Sequence, residues 1–173
     1  MNSAIYRMNV SDRLKIGIKT RLSYVIPYIE KWPQAMYLGI DPKNISNTVV
    51  QIHQISDEIW YISGDKSVDY TWYTKRALLS GLYASTELFM IGDRSKGQEA
   101  TWEFLDRRVD DVVSAGQNIN FTRNFLSAVS IGVNSIATIL KPYKFDDSEM
   151  RRMQAEAILR QKEQTANNKE QQK

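Results

Sequence analysis

Enzymatic chemistry needs acids, bases, nucleophiles or metal ligands that can converge, and this chain of 173 residues offers few of them. His53 is its single histidine, with no second one at ligand spacing, so it reads as a structural side chain. Cysteine is absent, which excludes disulfides, thiolate zinc sites and a cysteine nucleophile, and fits a reducing interior. Asp110-Asp111 and Asp146-Asp147 are adjacent in sequence, but neighbours on a helix point about 100° apart and do not easily share one ion. They read as solvated charges. No G-x-S-x-G, Gly-rich phosphate loop or Glu-x-x-His pair occurs. The expectation is a protein without catalytic residues, metal or cofactor.

Arg76 is the residue that asks for a partner. It stands inside "SVDYTWYTKRALLSGLY", residues 67–83, among aromatic and aliphatic groups, and a buried arginine requires a counter-charge. Two readings are open: an ion pair with an internal carboxylate such as Asp57, Glu58 or Glu87, or a bound anionic group. The stretch from Arg7 to Arg21 is locally basic and reads mainly as a solvated helix face; a net charge of +3 does not mark a nucleic-acid partner.

The elements that would position these residues are helices. Leu14, Ile18, Leu22, Val25 and Ile29 recur at helical spacing up to Pro27 and beyond, and Val49, Ile52, Ile55, Ile59, Trp60 and Ile62 do so near 44–63, where Ser63-Gly64-Asp65 ends the run. A central helix is predicted from about Tyr70 to Ile91, apolar on most of its circumference and hence buried from several sides. Trp102, Leu105, Val109 and Val112 mark a further helix. Asp65, Ser67 and Asp69 are expected to cap the central helix. With no convincing strand pattern, the fold class is all-α.

Residues 119–141 carry one apolar stripe, Phe121, Phe125, Val129, Val133, Ile136 and Leu140, opposite Asn120, Arg123, Asn124 and Asn134. An arginine at the bilayer centre costs about 2.5–3.5 kcal/mol, so lying on a membrane surface is favoured over crossing it. A last helix of the core is the alternative. Residues 142–173 read as a polar, disordered tail and residues 1–118 as the helical domain.

The block "DEIWYISGDKSVDYTWYTKRALLSGLYASTELFMIGDRS", with "RLSYVIPYIEKWPQAM" and "TWEFLDRRVDD", resembles the coenzyme Q biosynthesis protein 9 family over roughly residues 13–140. The resemblance implies a tetracycline-repressor-like ligand-domain bundle without DNA binding, plus a membrane-lying amphipathic helix. It also implies a non-catalytic accessory role in ubiquinone synthesis at the matrix face of the mitochondrial inner membrane. There such a protein would hold an isoprenoid, a ubiquinone precursor or a phospholipid and present substrate to the demethoxyubiquinone hydroxylase. On that basis Arg76, Trp72, Leu79 and Tyr83 are the expected lipid contacts, with Arg76 at the head group. Asp57, Ile59, Trp60, Trp72 and Tyr73 are the expected hydroxylase contacts. Such folds often pair, so a homodimer is an expected assembly. The family's presequence and helix-turn-helix-like segment have no counterpart in Met1 to Val10. The rival reading is the ligand-binding half of a tetracycline-repressor-like regulator.

Overall fold

Asn9 starts the first helix: its side-chain oxygen accepts the Asp12 backbone N–H at 2.8 Å, which satisfies one of the unpaired donors of a helix start. The fold is described from a computed structural model over residues 7–65 and 70–115, together with 140, 141, 152, 155, 159 and 160. Among them stand five α-helices and no strand: α1 (Val10–Ser23), α2 (Trp32–Gly39), α3 (Ile45–Ile62), α4 (Tyr70–Gly92) and α5 (Glu99–Ala115). The all-α expectation holds.

α1 buries Leu14, Ile18 and Leu22 at every fourth position, as their spacing dictates. Pro27 lacks the N–H that would continue the ladder, so the chain passes through a short 3-10 turn, Ile26–Tyr28, into α2. Val25 remains buried through the turn. Gly17 lets α1 approach α3: a Cβ there would lie 3.0 Å from Ile59 Cγ2.

α4 is the spine. It packs against α3 on one side and α5 on the other, with α1 closing against α5 and α3. The core collects Leu14, Ile18 and Leu22 of α1, Ile59 and Trp60 of α3, Leu78, Leu79, Leu82, Tyr83 and Met90 of α4, and Leu105, Val109 and Val112 of α5. Two expectations about burial fail at the rim. Ile62 is half exposed because it lies about 200° around α3 from Trp60, and Val49, although in register, is exposed as well. Phe89 is partly exposed and stacks on Phe104 of α5 at 4.8 Å.

The α4–α5 loop is tied by Asp93, whose carboxylate accepts the Ser95 and Thr101 backbone N–H groups and the Thr101 hydroxyl. Partial burial pushes the Asp93 carboxyl up, but hydrogen bonds from Thr101 and Ser95 outweigh it and hold it down at about 2. No helix among the described residues is long and apolar enough to cross a membrane, and none of their His, Asp or Glu side chains cluster as a metal site would require.

Candidate functional site

α3 ends at a glycine, and that ending determines what Arg76 meets. Gly64 has φ +89, the left-handed region glycine adopts without strain. Its N–H donates to Tyr61 O and the N–H of Asp65 donates to Trp60 O, both at 3.0 Å, the paired bonds of a Schellman helix stop. The turn sends Asp65 back across the start of α4.

The contacts between α3 and α4 pair falling numbers with rising ones: Trp60 with Lys75, Asp57 with Arg76, Ser56 with Ser80. The two helices therefore run antiparallel. Arg76 is buried, 3% exposed, and donates from Nε to Asp57 Oδ1 at 2.8 Å and from Nη1 to Asp65 Oδ2. Asp65 Oδ1 accepts from Lys75 Nζ at 2.7 Å, so one buried carboxylate joins two cations. Trp60 Nε1 donates to the Lys75 carbonyl at 2.9 Å.

Above Arg76 lies Trp72, one turn earlier on the same face. The guanidinium carbon sits 4.5 Å from the indole centroid, within cation–π range. His53 meets the indole edge-on at 5.8 Å and Tyr73 does so at 4.8 Å. Tyr73 is 71% exposed and the Asp57 side chain 47%. The result is a small outward face of Tyr73, the rim of Trp72 and Asp57, built on a buried ionic base.

Of the residues expected at a lipid, Trp72, Arg76, Leu79 and Tyr83 do share one stripe of α4, yet protein fills it. Leu79 and Tyr83 belong to the core, and the Arg76 fork is engaged by Asp57 and Asp65. Of the two readings of Arg76, the geometry favours the internal ion pair. Asp57 was among the carboxylates anticipated for it; Asp65 was expected as a helix cap and is instead the second counter-ion. Of the residues expected at a partner, Tyr73, Trp72 and Asp57 reach the surface. Ile59 and Trp60 do not: they are 7% and 4% exposed, because the apolar side of α3 must face α1 and α4 to close the core. The Ser-Gly helix stop before Asp65 was visible in the sequence, but its pairing with Arg76 is set by the path of the turn and the crossing of α3 and α4.

A second polar cluster lies farther along α4. Glu87 is buried and accepts from Trp32 Nε1 of α2 at 2.9 Å. Burial pushes its carboxyl up, against the opposing pull of that hydrogen bond and of Arg21. Burial also raises the Tyr83 hydroxyl, with the Glu87 charge adding to it and Arg21 opposing.

The amphipathic stripe lies outside the described residues at Phe121, Phe125, Val129, Val133 and Ile136. Leu140 is described and is fully buried, so it packs within the protein rather than facing outward. The expected tail falls outside as well, except for Arg152, Ala155, Leu159 and Arg160, which are exposed.

Comparison with known proteins finds a match to the family described as COQ9 over residues 45–116, which takes in α3, α4 and nearly all the described chain after them. The probable ubiquinone biosynthesis protein coq9, mitochondrial, of Dictyostelium discoideum is 40% identical over 134 residues, 78% of this chain and 43% of that protein. The ubiquinone biosynthesis protein COQ9, mitochondrial, of Rattus norvegicus is 38% identical over 128 residues, 74% of this chain and 41% of that protein. Its Homo sapiens counterpart is 38% identical over 128 residues, 74% of this chain and 40% of that protein. The matched part of the chain thus spans less than half the length of these relatives.

Proposed function

The chain belongs to the COQ9 family, and on that premise we propose that it is a non-catalytic accessory protein of mitochondrial ubiquinone synthesis. In this reading it holds a hydrophobic ubiquinone precursor, an isoprenoid or a phospholipid at the matrix face of the inner membrane. It presents the substrate to the demethoxyubiquinone hydroxylase. The observation that carries the pathway assignment is the 38–40% identity to proteins named for ubiquinone biosynthesis.

The geometry supports a docking role for the α3–α4 face. Exposed aromatics beside a carboxylate, on a base too rigid to rearrange, are the composition of an interface hot spot. The face is proposed as Tyr73, Trp72 and Asp57, with Ile59 and Trp60 supporting it from beneath. Lipid contact is assigned to the stripe Phe121, Phe125, Val129, Val133 and Ile136, whose apolar groups lower the cost of raising an isoprenoid chain toward water.

Two measurements test the proposal. A solvent extract of natively purified protein, read by mass spectrometry, is expected to contain quinone, isoprenoid or phospholipid; an empty extract removes the lipid role. Trp72→Ala is expected to weaken binding of purified hydroxylase by at least about tenfold. Unchanged affinity removes the docking face.

A further inference from the structure

A half-buried tryptophan at the start of a helix has several rotamers open to it, and a partner that needs one of them must pay for the ordering. In this protein the indole of Trp72 rests on a plane that cannot turn. The Arg76 guanidinium is planar and two of its nitrogens are pinned, Nε on Asp57 and Nη1 on Asp65, in a residue 3% exposed. Its central carbon, 4.5 Å from the indole centroid, is therefore a fixed support over the indole ring.

The support is itself anchored by backbone. Asp65 is placed by the left-handed Gly64 turn and held by Lys75, and its side chain is 6% exposed, so salt screens its pair with Arg76 far less than a surface pair. His53 and Tyr73 also pack against the indole, each with its ring steeply inclined to it. An order of dependence runs from the Gly64 turn to Asp65, from Asp65 to Arg76, and from Arg76 to Trp72.

We propose that Asp65 and Arg76 are positioning residues that hold the Trp72 indole in one orientation, so that Trp72 and Tyr73 meet a partner pre-ordered. A lysine at 76 would keep the charge but supply neither the plane nor the two-point attachment. The effect on Trp72 itself stands apart from any partner; the effect on hydroxylase affinity rests on the docking reading above.

The test uses the full chain labelled with 5-fluorotryptophan, whose four tryptophans give four fluorine resonances, Trp72 being assigned by Trp72→Phe. In Arg76→Lys and Asp65→Asn the Trp72 line is expected to shift and broaden while Trp32 and Trp102, away from the ion pair, keep theirs. An unchanged Trp72 line in either variant, with Trp32 and Trp102 native, overturns the proposal. If Arg76→Lys fails to fold, the milder Asp65→Asn decides. Hydroxylase titration adds a second arm: Arg76→Lys is expected to weaken binding about tenfold in the wild-type background and to have no effect in the Trp72→Ala background. Equal weakening in both backgrounds means Arg76 does not act through Trp72 and overturns the positioning role. If Trp72→Ala alone binds normally, the docking reading fails, and the fluorine arm still decides this inference.

Discussion

Arg76 and Glu87 lie about three turns apart on α4, both buried, and the protein treats the two charges differently. Arg76 receives two carboxylates and an indole face. Glu87 receives one neutral donor, Trp32 Nε1, with Arg21 acting from a distance, and burial raises its carboxyl. A guanidinium cannot shed its proton, so it is buried only where its fork is matched. A carboxyl can escape by protonation, so a single hydrogen bond is tolerated. The end of α4 with the matched charge carries the exposed aromatic face; the other end is a polar inclusion in the core.

The largest effect is expected from breaking the matched end. Arg76→Met takes from buried Asp65 one of its two cations, leaving Lys75, and from Asp57 its guanidinium, and should cost about 3 kcal/mol in urea unfolding. Adding Asp65→Asn to Arg76→Met should recover part of that loss, because the buried carboxylate charge that Arg76 helped to balance is then gone.

At the other end, Trp32→Phe removes the hydrogen bond to Glu87 and should cost about 1–3 kcal/mol at neutral pH. The loss should shrink in acid as Glu87 takes up a proton. Gly64→Ala sharpens the comparison from the backbone side. At φ +89, with Arg13 Nη1 2.9 Å from the added Cβ, it should cost about 1–2 kcal/mol and disturb Asp65 before it disturbs α3.

pH separates two carboxylates of opposite tuning. The folded state raises Glu87 above its ordinary 4.5, so it binds the proton that the unfolded chain releases, and stability falls as pH rises from 4.5 through the folded value. Glu87→Gln should remove that slope. Asp93 is held at about 2 against an ordinary 3.8, so its contribution is complete above 3.8 and is lost as pH falls toward 2. Asp93→Asn should flatten the acid limb of thermal unfolding measured across that range. The smallest effect is expected where both charges are in water: Glu103→Gln breaks an exposed 3.9 Å pair with Arg107 and should change stability by less than about 0.5 kcal/mol.

The helices were legible because each buries a stripe that repeats with the helical period. Leu14, Ile18 and Leu22, or Leu105, Val109 and Val112, announce both an element and its inner face. The helix stop at Ser63-Gly64-Asp65 was legible for the same local reason, since a left-handed residue is needed there and glycine supplies it. Less of the site could be read. Ile59 and Trp60 look like candidates for a surface because tryptophan is a common hot spot, yet their place on the inner side of α3 depends on where α1 and α4 pack. Asp65 looks like a cap from its neighbours and becomes a counter-ion only through the direction of the turn.

From local pattern alone, the chain determined that it would be helical, where α1, α3, α4 and α5 would run, and that Arg76 would need an anion. Those are properties of nearest neighbours and of a fixed period of turn. Which anion it found, which aromatics stayed outside and how far Glu87 was pushed from its ordinary range depend on the antiparallel crossing of α3 and α4 and on the seating of α2 against α4. These are distances between residues far apart in sequence, and electrostatic energy depends on those distances and on burial, so the tertiary structure decided them.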